Sequence, residues 1–196
     1  MKLAMIKMVI TLTIVAALAG AILAKVYDGT KDAIAEAKRQ EMLTAIKAVL
    51  PPFDNEPDKD VVSITSGKDK NGNDLQTVFY LGKKEGILVG IAFKTSTMEG
   101  YSGFIEIMVG VDSGGTISAI EILSHAETPG LGNKIVTPDF KNNFKGRNLE
   151  NTKWLVKKDG GDIDQITGAT ISPRAVTKAV KSGLEFLKAH SGEVTG

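Results

Sequence analysis

Residues 8–24, MVITLTIVAALAGAILA, carry no charge, and they are bounded by Lys2 and Lys7 on one side and Lys25 on the other. With the apolar residues among 3–6 the run approaches the roughly 20 residues that a membrane-spanning helix requires. A buried core helix would show a polar stripe, and this run has none. A retained transmembrane anchor is therefore expected over residues 1–27. The alternative is a cleavable leader, because AGA at residues 19–21 has the form of a small-residue cleavage site. Against it, the run exceeds the usual apolar region of about 7 to 15 residues and continues past that site. Lys2, Lys7 and the terminal amine precede the run, whereas Lys25 is soon answered by Asp28. The positive-inside rule then puts the N-terminus in the cytoplasm and the rest of this single-pass cell-membrane protein outside it.

The whole chain has 196 residues, enough for the anchor plus one domain of the usual ~100–200 residues. Its 24 basic and 23 acidic residues nearly cancel, so no nucleic-acid partner is expected. There is no cysteine, which excludes disulfides, thiolate metal sites, iron–sulfur ligation and a cysteine nucleophile. His125 and His190 are the only histidines, too few for a histidine-rich metal site. No metal site is expected, and any redox chemistry must come from an organic cofactor.

Residues 31–50, KDAIAEAKRQEMLTAIKAVL, place Ile34, Ala35, Lys38, Met42, Ala45, Ile46 and Val49 at mostly helical spacing, and Pro51 and Pro52 end the pattern. This predicts an amphipathic linker helix, over residues 28–52, that docks on the following domain. Residues 51–70 read as a polar stretch, with Asn71-Gly72 as a tight turn. LQTVFYL and GILVGIAFKT, separated by residues 82–85, then FIEIMVGV and TISAIEIL, separated by residues 112–115, predict two hairpins. Glu106 and Glu121 interrupt the apolar runs as on a sheet with one wet face. PDFKNNFKG predicts a short helix with Phe140 and Phe144 on one side, and residues 154–157 a short strand. The expected class is α+β: a transmembrane helix followed by one domain, residues 53–190, with an antiparallel sheet and flanking helices, then a polar tail, residues 191–196.

QITGATISPR, at residues 165–174, precedes an apolar stripe of Ala175, Val176, Ala179, Val180, Leu184 and Leu187 set against Arg174, Lys178, Lys181 and Lys188. Ser172 and Pro173 predict the helix start, as N-cap and first-turn proline. Thr170 then lies just ahead of a helix N-terminus, where exposed N–H groups and the helix dipole favour phosphate. Gly168 permits a sharp turn and Ala169 adds little bulk, so a phosphate can approach the Thr170 hydroxyl. From these residues alone, simple capping and a phosphate seat both stand.

Asp164, Thr167-Gly168-Ala169-Thr170 and Ser172 resemble the flavinylation motif of the FMN-binding domain family, Asp-x-x-Ser/Thr-Gly-Ala-Thr-x-Ser/Thr. The order of anchor, amphipathic helix, GYSGFIEIMVGVD, HAETPGLG and TGAT is similar to that in the G-subunit family of Rnf electron-transport complexes. The related C subunit of the sodium-pumping NADH:quinone oxidoreductase shares this plan and is the alternative. The resemblance implies a flavin transferase that takes FAD, releases AMP and leaves FMN on Thr170 through a phosphoester bond, with Asp164 serving the attachment and Thr167 the turn.

Under that resemblance residues 127–132, ETPGLG, form the ring-side wall. Gly130 and Gly132 permit close approach, Pro129 stiffens the turn, Leu131 offers an apolar face, and Glu127 and Thr128 supply polar contacts. Tyr101 is the aromatic partner for the ring, or else a rim residue over a strand end. Lys134 and Arg174 are candidates for countering phosphate charge. His125, beside the loop, reads as a solvent-facing or hydrogen-bonded histidine in preference to a proton relay, and His190 receives no role.

The function implied is an electron carrier rather than a stand-alone enzyme: a subunit of a ferredoxin:NAD+ oxidoreductase coupled to Na+ or H+ transport, working among other membrane and peripheral subunits. The rivals are a flavin-free ligand-binding or assembly module outside the cytoplasm and a soluble flavin reductase released by leader cleavage.

Overall fold

A computed structural model describes residues 2–68 and 72–195; Asn71 of the expected Asn-Gly turn lies outside them. The chain divides into two compact units, Met1–Met42 and Leu43–Gly196. Helix α1, Lys2–Val49, is continuous, because neither proline nor a capping signal interrupts the apolar and amphipathic segments. In the first unit its apolar side chains are exposed on all sides, as with Leu12 at 67% and Leu23 at 69%. Thr11 and Thr13 turn their hydroxyls back onto the carbonyls of Lys7 and Val9, both at 2.9 Å, which satisfies them inside the helix. By length and composition α1 can cross a membrane.

Within the second unit Ala45, Ile46, Val49 and Leu50 are buried, while Ile34, which the sequence pattern puts on the same stripe, is exposed. Within this unit the last turn of the helix thus packs on the domain. There the chain passes over glycines: a Cβ at Gly110 would overlap the Val49 carbonyl, and one at Gly90 would lie 2.9 Å from Pro51 Cδ.

The domain is a five-stranded antiparallel meander in sequential order: β1 Val61–Lys68, β2 Asp74–Lys84, β3 Ile87–Gly100, β4 Gly103–Asp112 and β5 Ile117–His125. Strand β1 falls inside the stretch expected to be irregular. It is an edge strand on which Ile64 alone is buried, so it carries almost no apolar alternation. The β2–β3 turn is Glu85-Gly86, with φ of 53° and 79°, the left-handed pair that a two-residue hairpin uses; Gly82 lies within the ladder opposite Gly90.

Phe79, Phe93, Val109 and Ile120 are paired in register across four strands, and all are buried. Helix α2, Pro138–Lys141, is followed by a 3-10 turn, and Phe140 meets Phe144 edge-on at 5.5 Å. Residues 154–157 form no strand: Val156 makes a single parallel bridge to Ile163, while Trp154 is buried beside Phe144. Helix α3, Ile171–Ala189, covers the aromatic row with the expected stripe fully buried. Gly183 lets it close on β3, since a Cβ there would lie 2.6 Å from Phe93 Cε2. The tail forms a short helix α4, Ser191–Thr195, with Val194 buried.

Candidate functional site

Two turns of the same construction face each other at one end of the domain. In the first, the Thr128 carbonyl accepts the N–H groups of Leu131 and Asn133, both at 3.2 Å; Pro129 and Gly130, whose φ is 77°, occupy the centre. In the second, the Ala169 N–H donates to the Ile166 carbonyl at 3.0 Å, and Gly168, φ 80°, takes the third position. A trans proline followed by a left-handed glycine, or a left-handed glycine at the third position, is what a type II turn demands. The turns approach closely, because a Cβ on Gly168 would lie 3.4 Å from Leu131 Cδ2.

Between them is a cavity of about 290 Å³. The first turn contributes Glu127, Thr128, Leu131 and Gly132, the second Gly168 and Ala169, and the start of α3 Thr170, Ile171 and Ser172; Tyr101 enters from the β3–β4 connection. Three apolar side chains on its border lie open to solvent, Tyr101 at 70%, Leu131 at 45% and Ile171 at 46%. A soluble surface seldom leaves such groups together without a ligand or partner to cover them.

Helix α3 begins two residues earlier than Ser-Pro predicts. Its N-cap is Thr170, and Ser172, expected there, lies in the first turn. The Ser172 hydroxyl donates to Glu127 Oε2 at 2.6 Å. Thr170 caps by backbone position only, since its side chain makes no capping hydrogen bond. Thr170 lines the cavity at the positive end of a 19-residue helix, its side chain uncommitted to the role that a threonine at an N-cap usually plays.

Glu127 is only 4% exposed. Besides the Ser172 hydroxyl it accepts the Ser102 N–H on Oε1 at 3.2 Å, and its own N–H donates to His125 Nδ1 at 3.1 Å. That last bond makes His125 an acceptor at Nδ1, the hydrogen-bonded histidine expected from the sequence.

Of the singled-out residues, Tyr101, Glu127, Thr128, Leu131, Gly168, Ala169, Thr170 and Ser172 meet at this cavity. Gly130 and Thr167 sit in the two turns behind it. Lys134 is exposed on the 3-10 turn that follows, Gly132–Val136, outside the cavity wall. Asp164 pairs with Lys157 at 2.6 Å. Arg174 points into a neighbouring cavity of about 470 Å³, where Nε and Nη2 both meet Asp159 at 2.6 Å. The hydrogen bond from Arg174, reinforced by its charge, holds the Asp159 carboxyl below the usual range. That larger cavity shares Ile171 with the first, and none of residues 166–170 lines it.

Ile171 and Ser102 at the smaller cavity, and Asp159 at the larger one, are residues that the sequence pattern does not single out. Ile171 had a signal, an apolar residue beside Thr170 in advance of the buried stripe. Ser102 and Asp159 act through contacts 25 and 15 residues distant, for which no local pattern exists.

Residues 100–185 match the family model described as FMN-binding domain, and residues 1–49 that of the RnfG N-terminal region. Every wall residue of the smaller cavity falls inside the first match. The G subunit of the ion-translocating oxidoreductase complex of Aliivibrio fischeri strain ES114 is 41% identical over 193 residues, covering 94% of this chain and 91% of the relative. That of Photorhabdus laumondii is 38% identical, covering 91% and 88%, and that of Shewanella baltica 35%, covering 99% and 94%. The crystal structure of Shewanella oneidensis NqrC aligns at a TM-score of 0.46 and 24% identity, over 69% of this chain and 75% of that one.

Proposed function

The chain belongs to the G-subunit family of ion-translocating oxidoreductase complexes, and on that basis we propose that it carries electrons within a membrane-bound Rnf-type complex through FMN esterified to Thr170. The observation that carries the attachment is the position of Thr170: N-cap of α3, hydroxyl not used for capping, in the wall of the cavity between the two glycine turns.

The residues present fit the cofactor. FMN presents a flat, largely apolar ring at one end and a phosphate at the other. The wall has exposed apolar surface from Tyr101, Leu131 and Ile171, and it includes a helix start whose N–H groups and dipole favour phosphate. Thr128 supplies polar groups, while Gly168, with no side chain, leaves the phosphate room beside Thr170. Lys134 and Arg174 stand outside this wall, Arg174 already paired. When bound, FMN supplies one- and two-electron chemistry that the side chains of this cysteine-free chain lack. The chain's own task is to tether the cofactor, orient it and limit its contact with water.

The remaining assignments complete the reading. A flavin transferase delivers the FMN half of FAD: the Thr170 oxygen bonds to that phosphorus, the bond to the AMP phosphate breaks, and AMP leaves. Residues 1–27 anchor the chain, with Lys2 and Lys7 on the cytoplasmic side; residues 28–52 link, and residues 53–190 form the flavin domain outside the cytoplasm. Other membrane and peripheral subunits of the complex are its electron partners.

The test is co-expression of the full-length chain with a flavin transferase, followed by intact mass measurement. The mass should rise by one FMN less one water and denatured bands should keep flavin fluorescence, both lost in Thr170→Val. Wild type that stays colourless after denaturation, or Thr170→Val that still carries the adduct, ends the assignment.

A further inference from the structure

We propose that Glu127 is a positioning residue, a buried strut that holds the attachment turn, the ring-side turn and the β3–β4 connection in register, and that the hydroxyl of Ser172 serves as its partner instead of facing outward. The proposal rests on the reading of this cavity as the FMN seat.

One carboxylate reaches three elements. It belongs to the ring-side loop, it accepts the Ser172 hydroxyl in the first turn of α3 at 2.6 Å, and it accepts the Ser102 N–H at 3.2 Å. Ser172 is 1% exposed and Glu127 4%, so neither is presented to an approaching protein. The space around the carboxylate is kept clear by glycines: a Cβ at Gly132 would overlap Oε2, and one at Gly100 would lie 2.6 Å from Oε1. A buried carboxylate is costly unless hydrogen-bonded, and bonds to an ionised acceptor are the stronger ones. Losing either bond therefore both frees an element and leaves the carboxylate under-satisfied.

The consequence falls on Thr170. Ser172 is two residues further along the same helical turn, so tying it to the 127–132 loop sets where the Thr170 hydroxyl stands relative to Leu131. Displacement of a reacting group by about 1 Å can cost roughly 100-fold in rate. The carboxylate also lines the cavity, and a negative charge there opposes the addition of electrons to a neighbouring cofactor.

The experiment uses the full-length chain in detergent with purified transferase and FAD, and compares wild type with Ser172→Ala, Ser172→Thr, Glu127→Ala and Glu127→Gln. Loading rate is read by intact mass, midpoint potential by spectroelectrochemistry, and the Ser102 amide of the unloaded protein by hydrogen exchange. Ser172→Ala and Glu127→Ala should load about 10- to 100-fold more slowly, Ser172→Thr should restore loading, and Glu127→Gln, which keeps an acceptor, should load but shift the midpoint potential positive. Loading of Ser172→Ala at the wild-type rate overturns the strut; an unmoved potential in Glu127→Gln overturns the role of the charge. Should Glu127→Ala not fold, the two Ser172 variants and Glu127→Gln decide the matter. Wild type that never loads defeats the attachment reading alone, and the Ser102 amide then decides: faster exchange in Ser172→Ala supports the strut and unchanged exchange overturns it.

Discussion

The carbonyl of Val49 rests on Gly110, so closely that a Cβ there would overlap its oxygen. The end of α1 and strand β4 thus meet backbone to backbone, through the one residue type that permits it. Gly110→Ala must move the chain end or the sheet, and overpacking of this kind costs roughly 1–3 kcal/mol or more. Urea denaturation of the detergent-solubilised chain, followed by Trp154 fluorescence, should show that loss; an unchanged midpoint would mean that the contact yields freely.

Gly168→Ala should impair the attachment turn. With φ at 80° and Leu131 Cδ2 at 3.4 Å from the added methyl, alanine meets left-handed strain of about 1–2 kcal/mol together with a tight contact. The expected outcome is slower FMN loading on Thr170 by intact mass while far-ultraviolet circular dichroism stays unchanged.

Leu131→Ala should leave attachment intact but shift the flavin midpoint potential. The side chain borders the cavity, half-open to solvent, and truncating it exposes more of the site to water while Thr170 is untouched. Spectroelectrochemical titration checks this; the same potential in both proteins would place the ring elsewhere.

The Arg174–Asp159 pair has a pH signature. Its hydrogen bond and charge hold the Asp159 carboxyl below the usual range, so the folded state binds that proton less readily than the unfolded state. The pair's contribution to stability is present above the ordinary carboxylate value of about 3.9 and is lost as pH falls through the lower folded value. Carbon-detected titration should place Asp159 low, and Arg174→Gln should return it to the ordinary range. Because the guanidinium is committed to Asp159, the same variant should load FMN like wild type.

Orientation is directly measurable because the chain has no cysteine of its own. Ser113→Cys, in the exposed β4–β5 turn, should react with a membrane-impermeant thiol reagent added from outside the inner membrane. Labelling only after lysis would place the domain in the cytoplasm.

What was legible in the sequence is what neighbouring residues decide among themselves. The uncharged run of residues 8–24 means an exposed apolar helix wherever it sits, and the 3.6-residue stripe from Ala175 to Leu187 names its own buried face. The hairpin around residues 112–115 was readable because two mostly apolar runs flank an Asp-Ser-Gly-Gly turn. Strand β1 was not, since an edge strand pairs through backbone groups that every residue has. The start of α3 shows the division most sharply. Ser-Pro is a good local signal for a helix cap, and by local energetics Ser172 would serve; in the fold Ser172 is buried in the first turn with its hydroxyl donating to Glu127, 45 residues away. The cap then falls earlier in the chain, on Thr170. Short-range sterics and periodicity were enough for a long apolar helix, a sheet, an amphipathic helix and a threonine-bearing turn. That the Ser172 hydroxyl is buried against Glu127 was decided by a tertiary contact alone, because it depends on a carboxylate reaching across the chain.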